Sequence, residues 1–120
     1  DNIVEQQLPR VRPPYVRFFM QYDPRIDLKR LRIPVLAISG SLDSAVPARE
    51  NLDEIQKILR EAGNKDFTVI ELYGINHLMQ TATTGDPFEM MKIEETFSPK
   101  VLELMASWIM SRTRLDSRWK

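Results

Sequence analysis

Cysteine is absent from the chain, which removes disulfides, cysteine nucleophiles and thiolate metal sites while leaving the compartment open. Net charge is absent too: 17 basic residues balance 17 acidic ones, so nothing draws the chain toward nucleic acid or an anionic membrane surface. No apolar run approaches the roughly 20 residues that a membrane span needs, and the first residues do not resemble a signal peptide. There is no internal repeat and no low-complexity tract. Histidine occurs once, at His77. A starting methionine is also missing, and the chain reads as a piece of something longer.

What is present is ordinary globular composition, 42% hydrophobic and 28% charged, with 120 residues to build a single modest core. The organising stretch is 33–47, Ile-Pro-Val-Leu-Ala-Ile-Ser-Gly-Ser-Leu-Asp-Ser-Ala-Val-Pro. Its apolar, β-branched-rich run from Val35 to Ile38 is preceded by Pro34 and followed by Gly40, the pattern of a strand buried on both faces of a parallel sheet. Asp43 then falls just past that strand's carboxyl end, the edge where open α/β sheets bind ligands. A second strand is expected from Phe67 to Leu72, and Gly74-Ile75-Asn76-His77 leaves its carboxyl end.

Between them Pro47 opens a helix with Leu52, Ile55, Ile58, Leu59 and Ala62 on one face. Gly63 and Asn64 close it, because glycine tolerates the left-handed position past a helix's last turn. Strand, helix, strand in about 40 residues is a βαβ unit with parallel strands and a right-handed crossover. Both strand ends then lie on one sheet edge, which brings Asp43 and His77 within reach of each other.

Residues 1–32 read as helical pieces joined by prolines. Pro9, Pro13 and Pro14 break the first piece, after which Tyr15, Phe18, Phe19 and Tyr22 recur on one helical face as a packing surface. Asp23-Pro24 caps a short helix expected from Pro24 to about Leu31, which Pro34 stops. After His77, Asp86-Pro87-Phe88-Glu89 predicts a capping box and a helical turn or two, from Pro87 through Ile93. Because this segment leaves directly from His77, it should border whatever that ring faces. Ser98-Pro99 starts a final helix with Val101, Leu102, Met105, Trp108 and Ile109 as its apolar stripe, and the polar end from Arg112 to Lys120 is expected to fray. The division is a helical segment at 1–32, a β-α-β-α unit at 33–112 and a polar tail at 113–120.

In hydrolysis by acyl transfer a serine attacks a carbonyl, a histidine removes its proton, and a carboxylate orients the histidine and stabilises its charged form. Asp43 and His77 have the residue types and placement for the last two roles. Each alone has an ordinary alternative, since an Asp after a strand often serves a turn and a lone His a surface hydrogen bond. Their joint appearance at successive strand ends favours the catalytic pair.

The residues at 33–36, Gly40-Ser41-Leu42-Asp43, Val46-Pro47, Gly74-Ile75-Asn76-His77, Ser98-Pro99 and Trp108 together resemble the C-terminal part of an α/β-hydrolase, of the bacterial esterase and serine-aminopeptidase-like kind. The resemblance covers about 90 residues and implies a partial α/β-hydrolase fold whose triad follows the chain order Ser, Asp, His. It implies that Asp43 is the triad acid and His77 the base, with no cofactor. The nucleophile's Gly-x-Ser-x-Gly turn is missing: two positions after Gly40, Gly63, Gly74 and Gly85 stand Leu42, Lys65, Asn76 and Pro87. The oxyanion-hole turn of the fold's first half is missing too.

The expectation is therefore a C-terminal fragment of a serine hydrolase acting on carboxylic ester, thioester or peptide-like bonds of a small-molecule or acyl substrate, inert by itself. The alternative is a non-catalytic association domain that works by chain pairing. Two strands are too few for a stable sheet. In the topology that the resemblance implies, the edge from Val35 to Ser39 is the one left bare, and this predicts a homodimer about a twofold axis, with these strands antiparallel and part of the aromatic stripe buried beside them.

Overall fold

The computed structural model describes residues 13–113, so the break expected at Pro9 and the tail at 114–120 lie outside the described residues. Helices α1 (Pro14–Gln21) and α2 (Arg25–Leu28) precede strand β1 (Val35–Leu42), helix α3 (Ala48–Glu61) and strand β2 (Phe67–Asn76). A single-turn helix α4 (Pro87–Met90) and helix α5 (Pro99–Thr113) follow. This is a small α/β fold: β1 and β2 pair in parallel, from Val35 opposite Phe67 to Leu42 opposite Asn76.

Helix α3 has the most legible cause. Its face of Ala48, Leu52, Ile58 and Leu59 is buried against the strands, with Leu59 fully enclosed. Past its last turn Gly63 takes φ +75°. The Gly63 N–H then donates to Arg60 O (3.0 Å) and the Asn64 N–H to Leu59 O (3.0 Å), the paired bonds of a Schellman cap. Asn64 is itself buried, and its side-chain amide donates to the carbonyls of Leu31 (3.3 Å) and Ile33 (3.0 Å). The end of the helix is thereby fastened to the residues that lead into β1.

Both strands outrun the sequence expectation. β1 continues through Gly40 to Leu42, and β2 continues past Leu72 to Asn76. The cause is a bulge: Gly40 lies opposite Leu72, but the next pair is Leu42 with Asn76, so Tyr73, Gly74 and Ile75 stand against Ser41 alone. Gly74 absorbs the turn at φ +74°, and its N–H donates to the Ser41 hydroxyl (3.0 Å). A glycine that reads as a strand's end is here the hinge by which the strand continues. Burial of β1 is also less than expected. Only Ser39 and Gly40 are buried, because the described sheet has two strands and Val35 through Ile38 remain half-buried.

Helix α2 stops at Leu28 rather than near Leu31, although hydrogen-bonded turns carry the chain on to Leu31. It also starts one residue later than expected, with Pro24 at the N-cap, while the Asp23 side chain accepts from the Arg25 N–H (3.0 Å) just ahead of it. In α5 the apolar stripe differs: Val101 is buried and Leu104, Met105 and Trp108 are half-buried, whereas Leu102 and Ile109 are exposed. The turned-in set still has helical spacing, but Leu104 replaces the two outer residues because Trp108 is fixed by its indole N–H, which donates to the Thr68 hydroxyl (2.9 Å). Arg112 does not fray. It lies 4.1 Å over the Trp108 ring and pairs with Asp66 at 2.7 Å. Along α1, Tyr15, Phe18 and Phe19 are exposed and Tyr22 is partly so, with no described element covering them.

Candidate active site

Asp43 follows directly on β1, where its N–H donates back to Gly40 O (3.1 Å) and turns the chain. Its Oδ1 accepts the N–H groups of Ala45 (3.0 Å) and Val46 (2.8 Å), the local bonding that makes Asp a favoured turn residue. The carboxylate is thus aimed before any distant partner is considered. That partner is His77, just past β2: its Nδ1 is 3.0 Å from Oδ1 and 3.0 Å from Oδ2 of Asp43. The two residues that the sequence singles out, 34 positions apart, are in direct contact.

The electrostatics fix the proton. Burial of Asp43, whose side chain is 6% exposed, pushes its carboxyl up, but the bonds from His77, Val46 and Ala45 outweigh burial and hold it below its ordinary value. An ionised carboxylate only accepts, so Nδ1 must be the donor and the neutral ring carries its lone pair on Nε2. The His77 side chain is 44% exposed, and Nε2 has no hydrogen-bond partner among the described residues. A ring held on one side with a basic nitrogen open on the other can take a proton from an approaching hydroxyl.

His77 is held by a turn that the sequence did not reveal. Asn76, fully buried, accepts on Oδ1 the N–H groups of Leu78 (3.0 Å) and Gln80 (3.0 Å) and donates from Nδ2 to Gln80 Oε1 (2.8 Å). Met79 completes the turn at φ 60°, a conformation that is uncommon for a side chain of its size. The turn is anchored outward as well: Gln80 Nε2 donates to Glu95 O (2.8 Å), and the Ser98 N–H donates to Met79 O (2.8 Å) at the start of α5. The sequence carries no signal for this network, because Asn76 reads there as a residue already past the strand.

The segment after His77 touches the residues on either side of Asp43, and it is held there by a different device from the expected capping box. The Asp86 side chain accepts from the Phe88 N–H (2.7 Å) and caps α4. Glu89 does not return to Asp86. Its carboxylate instead accepts from the N–H groups of Thr83 (2.8 Å), Thr84 (2.9 Å) and Gly85 (2.8 Å) and from the Thr84 hydroxyl (2.6 Å). Gly85, at φ +74°, presses on Leu42 so closely that a Cβ there would sit 2.1 Å from Leu42 O. Its carbonyl accepts from the Ser44 hydroxyl (2.9 Å). Both neighbours of Asp43 are therefore in contact with the 83–85 turn.

Among the described residues, no group of three or more His, Cys, Asp or Glu side chains is placed to hold a metal ion. No described helix is long and apolar enough to cross a membrane. No protein-family model matches the chain, and neither a curated protein nor a solved structure matches it.

Proposed function

We propose that this chain supplies the acid and base of a serine hydrolase of α/β-hydrolase type, with Asp43 orienting His77 and His77 moving the protons. The observation that carries the reading is the contact of His77 Nδ1 with both oxygens of Asp43, at adjacent carboxyl ends of two parallel strands. The resemblance in the residues around Asp43 and His77 adds a fold in which this pair is two thirds of a triad.

The chemistry assigns each atom a task. A serine hydroxyl from outside residues 1–120 attacks the carbonyl carbon of an ester, thioester or peptide-like substrate while its proton passes to Nε2 of His77. The ring becomes cationic, and Asp43 stabilises that charge through the Nδ1–H bond. His77 then returns the proton to the departing alcohol, thiol or amine, and water repeats the cycle on the acyl-serine. No cofactor is required.

The test uses a polypeptide that joins this chain to its Gly-x-Ser-x-Gly segment in the parent gene. That protein should hydrolyse p-nitrophenyl esters, this chain alone should not exceed background, and His77→Ala in the longer protein should lower kcat by orders of magnitude. An unchanged kcat removes His77 from the mechanism.

A second reading, an association domain, is favoured by a separate observation. No described strand pairs with the outer edge of β1, and Tyr15, Phe18 and Phe19 lie exposed on α1. In that reading the chain forms a homodimer through β1, and a parent gene without a Gly-x-Ser-x-Gly segment would favour it.

A further inference from the structure

The Glu89 carboxylate stands out among the groups not used above, because it gathers four hydrogen bonds and none of them goes to its own helix. All come from 83–85, the turn that touches Leu42 and Ser44 on either side of Asp43. Backbone N–H groups at three successive positions converge on one anion, and their geometry depends on a charge being there. The Thr84 hydroxyl, which donates to Glu89, also accepts from the Asp86 N–H (3.2 Å), so the turn and the start of α4 are held together through the same carboxylate.

We infer that Glu89 is a positioning residue for the Asp43–His77 pair, acting through the 83–85 turn and its contacts with Leu42 and Ser44. The inference rests on the reading of Asp43 and His77 as acid and base. With Glu89 charged, Gly85 stays seated against Leu42 O and its carbonyl holds the Ser44 hydroxyl, so the loop that carries Asp43 is held at both neighbouring residues while His77 engages Asp43 itself. Without that charge the three N–H groups lose their common acceptor and the turn is free to lift from Leu42. Asp43 keeps its own bonds to Ala45 and Val46, so the effect is one of aim and not of fold. The thiol-free, single-histidine composition makes the consequence measurable, because every imidazole signal belongs to His77.

The experiment is proton and nitrogen NMR on this chain with Glu89→Gln, comparing the low-field Nδ1–H signal of His77 and amide exchange at 83–85 with the unsubstituted protein. Loss of a charge-assisted acceptor should speed exchange at Thr84 and Gly85 by at least about tenfold. The His77 Nδ1–H signal should broaden or vanish, while amides in α3 exchange as before. Faster exchange in the turn with an unaltered Nδ1–H signal would reduce Glu89 to a local loop residue and overturn the inference, as would unaltered exchange. If Glu89→Gln also loosens α3, the milder Thr84→Ala, which removes the hydroxyl's bonds to Glu89 and from the Asp86 N–H but leaves the carboxylate and its three N–H donors, decides: a partial change at both the turn and His77 upholds the inference, and no change at His77 ends it. The hydrolase reading fails separately, through an unchanged kcat in His77→Ala of the longer protein, while this NMR result would stand.

Discussion

Gly40 and Ile75 approach so closely that no side chain fits between them: a Cβ on Gly40 would lie 2.1 Å from Ile75 O and 3.0 Å from Asn76 O. The bulge in β2 swings its last residues over Gly40, and this approach sets the position from which His77 leaves the strand. What stands in the way is a carbonyl of the backbone, which cannot move aside as the tip of a side chain can.

Gly40→Ala should therefore destabilise the fold by about 3 kcal/mol or more, by overpacking against main chain. Gly63→Ala is the control. Gly63 has a positive φ and open space around its Cβ position, so its cost should be about 1 kcal/mol. Urea unfolding of both variants checks the order, and equal losses would contradict the close approach at Gly40.

Asp43→Asn keeps the size of the side chain but removes the charge that makes Nδ1 the donor. On the hydrolase reading, it should lower kcat of the polypeptide joined to a Gly-x-Ser-x-Gly segment by a factor on the order of 10⁴, with KM little changed. Steady-state ester hydrolysis measures this, and a loss under tenfold would show that the ring does not depend on Asp43.

Acid should act on Glu89 in a defined window. The Thr84 hydroxyl and the N–H groups of Thr83, Thr84 and Gly85, opposed by burial, hold its carboxyl down to about 2 from an ordinary 4.5. A depressed folded value means that the contribution is complete above the ordinary value, shrinks as pH falls below it, and is gone once the pH passes the folded value. The amide shifts of Thr84 and Gly85 should thus move at the acid end of a titration from pH 5 downward and stay put above it. Movement centred near the ordinary glutamate value would mean that the four bonds do not hold in solution, and Glu89→Gln should abolish the titration.

The association reading predicts a particle of twice the chain mass by light scattering at micromolar concentration. Replacing Phe18 and Phe19 together by Ser should shift it toward the monomer, because both rings are exposed on α1 and would enter the contact. A single-chain mass for the unsubstituted protein counts against the dimer.

Much of the fold was readable because its signals are local. Pro47 and Gly63 bound α3 through the dihedral preferences of the residues themselves, and Asp43 and His77 follow from where each strand ends. The rest depended on contacts between distant segments. Gly74 has the look of a terminator, and only the presence of Ser41 across the sheet makes it part of a bulge. Glu89 has capping-box spacing from Asp86, yet its carboxylate finds three converging N–H groups upstream, which a spacing rule cannot foresee. The exposure of Leu102 and Ile109 likewise follows from where Thr68 and Asp66 fasten Trp108 and Arg112.

Asn64 has a consequence for the order in which the chain folds. The parallel pairing of β1 with β2 requires a long loop to close, and the entropy of closure must be met before the strands reward it. The Asn64 amide spans 33 positions to Leu31, and its N–H ends α3 in the same turn. Helix termination and loop closure are thus one event at one residue. The βαβ unit should form as a single kinetic step, in which α3 winds to its glycine stop and the strand leads are clasped together. Asn64→Ala should slow refolding more than it speeds unfolding, a division that stopped-flow kinetics would resolve.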